Sequence, residues 1–90
     1  MSFDLLKEWG KNNDSIKRLS SDLNFLIEET CEHPACSLSD LKEVHKKMGM
    51  LLKQGMFWFQ QENTQRFIYD LEDFVFYLVD FLDKKDKEIP

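Results

Sequence analysis

Apolar residues recur at steps of three and four along most of this chain, which is the spacing of one face of an α-helix. A short apolar segment at 3–9 stops near Gly10 and forms either a separate helix or the first part of a helix bent at that glycine. Three longer segments follow: Asp14 to Thr30, Ser37 or Ser39 to about Gln61, and Asn63 or Thr64 to about Lys85. The pattern predicts an all-α chain.

Each predicted helix carries one apolar stripe that would face a shared core. Short connections between the helices favour antiparallel neighbours. We therefore predict a small antiparallel helical bundle of three long helices plus a short N-terminal helix, in one domain spanning residues 1–90. The predicted core residues are Phe3, Leu5, Leu6, Trp9, Ile16, Leu19, Leu23, Leu26, Ile27, Leu41, Val44, Met48, Leu51, Leu52, Phe59, Phe67, Ile68, Leu71, Phe74, Val75, Leu78, Val79, Phe81 and Leu82.

Two glycines interrupt the third helical segment. Gly49 and Gly55 should each weaken a helix by about 1 kcal/mol relative to alanine. We still predict a continuous helix, and the alternative is a break at Gly55 followed by an irregular link over residues 56–61.

The chain is acidic, with a formal net charge of −5. An acidic surface repels phosphate backbones, so we expect no direct nucleic-acid binding. It suits a basic protein partner, or solubility alone. No apolar run approaches the ~18 residues of a membrane helix, and the first ten residues lack the pattern of a secretory leader. We therefore expect a cytoplasmic protein that does not enter membranes and whose thiols stay reduced.

The stretch CEHPAC concentrates three reactive side chains: Cys31, His33 and Cys36. Zinc needs about four ligands. His45 is the remaining histidine, but it lies roughly 9 Å along the axis from the start of the third helix, so in an antiparallel pair it would face the middle of the second helix and not its end. The spacing also differs from that of a CxxC redox pair. The residue before Pro34 is pushed out of the helical region. We predict a loop between helices, with no metal and no cofactor.

One short stretch resembles a known signalling motif. Histidine phosphotransfer domains are helical bundles with an exposed phosphoacceptor histidine, a lysine three positions on and a glycine four positions on. His45 and Gly49 match this motif, whereas Met48 stands in place of the lysine and Lys47 in place of an apolar residue. The resemblance implies an alternative function as a phosphorelay acceptor through His45. The sequence shows no other catalytic motif, so a non-enzymatic protein is the main prediction.

The fourth helix has aromatic residues outside its core stripe. At ~100° per residue, Tyr69 and Phe76 fall on the face opposite the core. Acidic residues surround them, and residues 62–83 contain six acids against Arg66 alone. Aromatic residues within a charged rim are typical of interfaces. The predicted partner-binding residues are Tyr69, Glu72, Asp73, Phe76, Asp80 and Asp83.

The third helix has an outward face of the opposite charge. Two apolar residues, seven positions apart, share it with three lysines, and the set is a candidate for self-association: Lys42, Lys46, Met50, Lys53 and Phe57. A homodimer that joins this face to the Tyr69–Phe76 face is therefore an alternative. A further alternative is that the bundle itself, including the first helix, covers Tyr69 and Phe76.

Small size, acidity and helical content form a profile that immunity proteins, antitoxins and phage-encoded inhibitors share. The sequence thus predicts a non-enzymatic module that neutralises a basic protein partner.

Overall fold

A computed structural model describes residues 4–89, which form four α-helices and no strand. The helices are α1 (Asp4–Gly10), α2 (Asp14–Glu32), α3 (Leu38–Gln60) and α4 (Thr64–Asp86). This confirms the predicted all-α bundle of three long helices plus a short N-terminal helix. Phe3, which the sequence assigned to the first helix, lies outside the described residues.

Side-chain caps set the starts of the three long helices. Asn13 Oδ1 accepts a hydrogen bond from the Ile16 amide at 3.1 Å, so α2 begins anew after the turn and is not a bent continuation of α1. Ser37 Oγ accepts from the Asp40 amide at 3.2 Å, while Asp40 Oδ2 accepts from the Ser37 amide at 2.9 Å. This reciprocal pair is a capping box. Asn63 Oδ1 caps α4 in the same way as Asn13 caps α2.

α4 lies between α2 and α3, and α1 packs against α2. His33, just after α2, contacts Asp86 at the end of α4, so these two helices run parallel. Asp40, at the start of α3, contacts Lys85 near the end of α4, so that pair is antiparallel. The chain reverses direction between α2 and α3 and again between α3 and α4. α3 is therefore antiparallel to α4, and α2 is parallel to α4.

The core contains the predicted stripe from each helix, with corrections at its edges. Val79 was predicted to be buried but is 49% exposed, and Leu5 is 43% exposed. Leu26, Leu41, Leu52, Phe59, Val75, Phe81 and Leu82 are half-buried. The buried residues are Leu6, Ile16, Leu19, Leu23, Ile27, Val44, Met48, Leu51, Phe67, Ile68, Leu71, Phe74 and Leu78.

α3 is continuous through both glycines, so the alternative break at Gly55 is wrong. Gly55 is buried, and a Cβ atom there would lie 2.6 Å from Phe67 Cε1 and 2.8 Å from Trp9 Cζ3. The missing side chain makes room for two aromatic rings that pack at 5.1 Å between centroids. Gly55 therefore serves the packing of α1 and α4 against α3, although it is unfavourable for the helix itself.

Candidate protein-binding face

The buried stripe of α4 fixes which of its residues face solvent. Phe67, Leu71 and Leu78 are fully buried, and Tyr69 and Phe76 lie on the other side of the helix, 54% and 70% exposed. α1 does not cover them, because it lies against α2 and its Trp9 packs with Phe59 at 4.8 Å instead. The aromatic residues are therefore accessible, as a partner-binding site requires.

Val79 extends this surface and was missed by the sequence reasoning. It is 49% exposed and lies three positions after Phe76, so the two side chains are neighbours on the helix surface. Val79 lies at the edge of the apolar stripe, and a residue there is buried only if a neighbouring helix extends over it. This edge position was the feature of the sequence that could have indicated its exposure. We call the surface formed by Tyr69, Glu72, Asp73, Phe76, Val79, Asp80 and Asp83 the acidic-aromatic face.

The charges of this face are unequally compensated. Asp80 contacts Lys84 at 3.1 Å, and Asp83 contacts Lys87 at 3.5 Å. Exposed pairs of this spacing contribute about 0.3–0.5 kcal/mol each and are readily exchanged for other partners. Asp73 forms no ion pair within residues 4–89, and Glu72 is half-buried and also forms none there. Within residues 4–89, Glu72 and Asp73 are therefore the carboxylates of this face whose charge no ion pair offsets.

The residues proposed for self-association lie on the exposed side of α3. Lys42, Lys46 and Lys53 are exposed, as are Met50 and Phe57, at 54% and 51%. Met50 lines a groove between α3 and α4, and Phe57 lines its continuation. Met50 and Phe57 thus lie on the groove between α3 and α4, and neither lies beside Tyr69 or Phe76.

The CEHPAC stretch is the end of α2 and the connection to α3. Cys31 lies in the last turn of α2 and is exposed, which corrects its predicted position beyond the helix. His33 Nδ1 accepts from the Ala35 amide at 3.1 Å, and its Nε2 lies 2.7 Å from Asp86 Oδ1. Because Nδ1 is an acceptor, Nε2 carries the proton and donates to the carboxylate. His33 thus ties the connection to the end of α4.

The other candidate groups lie apart from one another. Burial, and then the negative charge of Asp40, raise the pKa of the half-buried Cys36 thiol. His45 is exposed on α3, beside the buried residues Val44 and Met48. Across the described residues 4–89, no three His, Cys, Asp or Glu side chains are placed so that they could hold a metal ion.

Comparisons of this chain with protein-family models, with curated proteins and with solved structures gave no match. Within the part of the chain that the structure describes, no helix combines the length and the apolar character needed to cross a bilayer.

Proposed function

We propose that this protein is a non-enzymatic, cytoplasmic module that binds a basic protein partner through the acidic-aromatic face and thereby neutralises it, in the manner of an immunity protein, an antitoxin or a phage-encoded inhibitor. The observation that carries the proposal is the exposure of Tyr69, Phe76 and Val79, at 54%, 70% and 49%, on the solvent-facing side of one helix. Large apolar groups that share one exposed face, rimmed by polar residues, mark interaction sites.

The energetics of the face suit a protein partner. Complete burial of one large apolar side chain stabilises a complex by about 1.5–3 kcal/mol, so Tyr69 and Phe76 are suitable anchors. The acidic residues around them, especially Asp73, would attract a basic surface and accelerate its approach. The opposite side of α4 is committed to the core through Phe67 and Leu71, so the anchors are held on a rigid helix and need no folding step on binding.

The test is capture of a partner by the tagged full chain from the lysate of its own host, followed by native mass spectrometry. The variant is Tyr69→Ala/Phe76→Ala, and the matched control is Phe25→Ala, because Phe25 is also an exposed aromatic residue, at 60%, but lies on α2. We expect the wild type and the control to retain a basic protein at fixed stoichiometry and the double variant to lose it. Equal retention by all three proteins, or loss by the control, would contradict the assignment of the face.

A further inference from the structure

A second surface lies along the groove between α3 and α4, and the acidic-aromatic face does not account for it. We call it the seam face. It is two helices wide, and its α3 side presents exposed apolar and basic residues while its α4 side presents acidic and aromatic ones. Its principal residues are Lys47, Met50, Lys53 and Phe57 from α3, and Asp73 and Tyr77 from α4.

The apolar part of the seam face is unpartnered in the single chain. Met50 and Phe57 are 54% and 51% exposed. Trp58 and Tyr77, on either side of the groove, are half-buried, and the Phe57 and Trp58 rings pack edge to face at 4.9 Å. Four large side chains therefore form a rim that another surface could cover.

The charged part of the seam face has Lys47 and Lys53 on its α3 side, and Asp70, Asp73 and Arg66 on its α4 side, so the α3 side is net basic and the α4 side net acidic. Lys53 and Asp73 have no ionic partner elsewhere in residues 4–89. Lys47 lies over the Tyr77 ring at 5.1 Å, and its contact with Glu43 is long at 3.9 Å. A surface that is basic along one edge and acidic along the other is complementary to itself once it is turned through half a revolution.

We infer that the seam face is the contact surface of a homodimer whose two-fold axis runs parallel to the helices, along the groove. Rotation about such an axis keeps every residue at its own level along the helices. It also places α3 of one copy over α4 of the other copy. Lysines then face carboxylates twice, and the contact is closed, because a two-fold axis uses the same patch on both copies.

The register of α3 against α4 shows that the charges would meet. Two contacts define this register: Lys47 over the Tyr77 ring at 5.1 Å, and Asp40 to Lys85 at 2.9 Å. In that register, the level of Lys53 falls between those of Asp70 and Asp73. Each Lys53 would therefore lie within one helical turn of the acidic residues of the other copy, and each Met50 would lie near the other copy's Tyr77.

The size of the seam face suits a weak, reversible dimer. The groove is lined over residues 47–58 of α3 and 66–77 of α4, which corresponds to a length of about 18 Å. Two helices side by side are about 20 Å wide, so the footprint is roughly 360 Å² per copy, below the ~800 Å² per partner of a standard interface and in the range of transient contacts.

This inference goes beyond the proposed function, because the dimer would leave Tyr69, Phe76 and Val79 uncovered and would take only Asp73, at the shared edge, from the acidic-aromatic face. None of these three residues lines the groove. A dimer would instead carry two acidic-aromatic faces and could engage two copies of a basic partner, or a partner that is itself dimeric.

Sedimentation equilibrium of the full chain over a wide concentration range tests the dimer. We expect reversible formation of a species of twice the 10.8 kDa chain mass. Lys53→Glu and Asp73→Lys should each weaken dimerisation by at least about tenfold, because each places like charges opposite each other. The combination Lys53→Glu/Asp73→Lys should restore it, because both partners of the pair are then reversed in both copies.

Lys17→Glu is the matched control, since Lys17 is an exposed lysine on α2, and it should leave dimerisation unchanged. A chain that is monomeric at every concentration would overturn the inference. So would a dimer that Lys53→Glu leaves intact, or a combined variant that dissociates more than either single variant.

The test separates this inference from the proposed function. Lys53→Glu should weaken the dimer by at least about tenfold while the chain still captures its partner from the lysate. Tyr69→Ala/Phe76→Ala should abolish capture while the chain still dimerises. A helical circular dichroism spectrum identical to that of the wild type ensures that each variant is compared in its folded form.

Discussion

Trp58 on α3 donates its indole N–H to the carboxylate of Asp70 on α4, with 2.8 Å between Nε1 and Oδ2. Both side chains are half-buried, and the Arg66 guanidinium lies over the Trp58 ring at 5.3 Å. The bond joins the last turns of α3 to the first turns of α4, next to the tight connection in which Glu62 adopts a positive φ of 56°. It therefore helps to fix how α3 lies against α4.

Removal of the acceptor should lower the stability of the fold. A hydrogen bond to a charged group contributes about 1.5–3 kcal/mol, and partial exposure places Asp70→Ala towards the lower end of that range. Asp70→Asn should cost less, since its amide oxygen can still accept from the indole. Urea unfolding followed by circular dichroism at one protein concentration measures both changes. In a Trp58→Phe background the cost of Asp70→Ala should largely disappear, and an undiminished cost there would show that the bond is not its source.

The two glycines of α3 predict opposite effects for the same substitution. Gly49 has no atom within 4 Å of the place that a Cβ would occupy, so Gly49→Ala should stabilise the chain by up to about 1 kcal/mol through helix propensity. At Gly55 the new methyl group would lie 2.6 Å from the Phe67 ring, and Gly55→Ala should cost about 1–3 kcal/mol through overpacking. The difference between their urea midpoints measures the contrast. Equal midpoints would mean that the aromatic rings move aside at little cost.

The same two glycines show what a sequence pattern can predict. Periodicity identified all four helices, because each buries one face, and the cap residues placed most helix starts within one or two positions. Helix propensity predicts the same cost for Gly49 and Gly55, because it describes a residue in an isolated helix without its neighbours. The distinction between them depends on Trp9 and Phe67, which reach Gly55 from other helices. No local pattern contains that information.

Val79 shows the same limit for the candidate site. Its spacing places Val79 in the apolar stripe of α4. How much of that stripe is buried, however, depends on how closely α2 and α3 approach α4. Tyr69 and Phe76 were recognisable because they lie far outside the stripe, among acidic residues. The α3 side of the seam face was predicted from the sequence, through Lys53, Met50 and Phe57. Asp73 was recognisable as part of an acidic surface of α4, but its place on the groove beside Tyr77 depends on how α4 packs against α3.

Asp40 predicts a specific loss of stability in acid. The hydrogen bond from the Ser37 amide, together with Lys85 at 2.9 Å, lowers the pKa of Asp40 below its ordinary value of 3.8. A carboxyl group whose pKa is lower in the folded than in the unfolded chain stabilises the fold above the unfolded pKa. That stabilisation is lost as the pH falls through the folded pKa.

Asp40→Asn should accordingly be less stable than the wild type at pH 7, and the gap should begin to narrow below a pH of about 3.8 and close once the pH has fallen through the lower pKa of the folded chain. Urea midpoints taken across the acid range measure the gap. In a Lys85→Gln background the gap should be smaller at every pH, because one of the two interactions is absent. A gap that stayed constant down to the lowest pH would exclude the ionised carboxylate as its cause.

Because Tyr69 and Phe76 lie on the exposed acidic-aromatic face, we expect their replacement to change the stability of the fold little. Tyr69 and Phe76 are 54% and 70% exposed, whereas Phe67 on the same helix is 0% exposed. Tyr69→Ala/Phe76→Ala should therefore change the free energy of unfolding by less than about 1 kcal/mol, because alanine's helix propensity offsets part of the lost contact. Phe67→Ala should cost about 3–5 kcal/mol through the cavity it leaves. Urea unfolding of the three proteins, with Phe25→Ala as a second exposed control, gives the comparison. If the double variant were as unstable as Phe67→Ala, both rings would belong to the core, and α4 would have no free face with which to hold a partner.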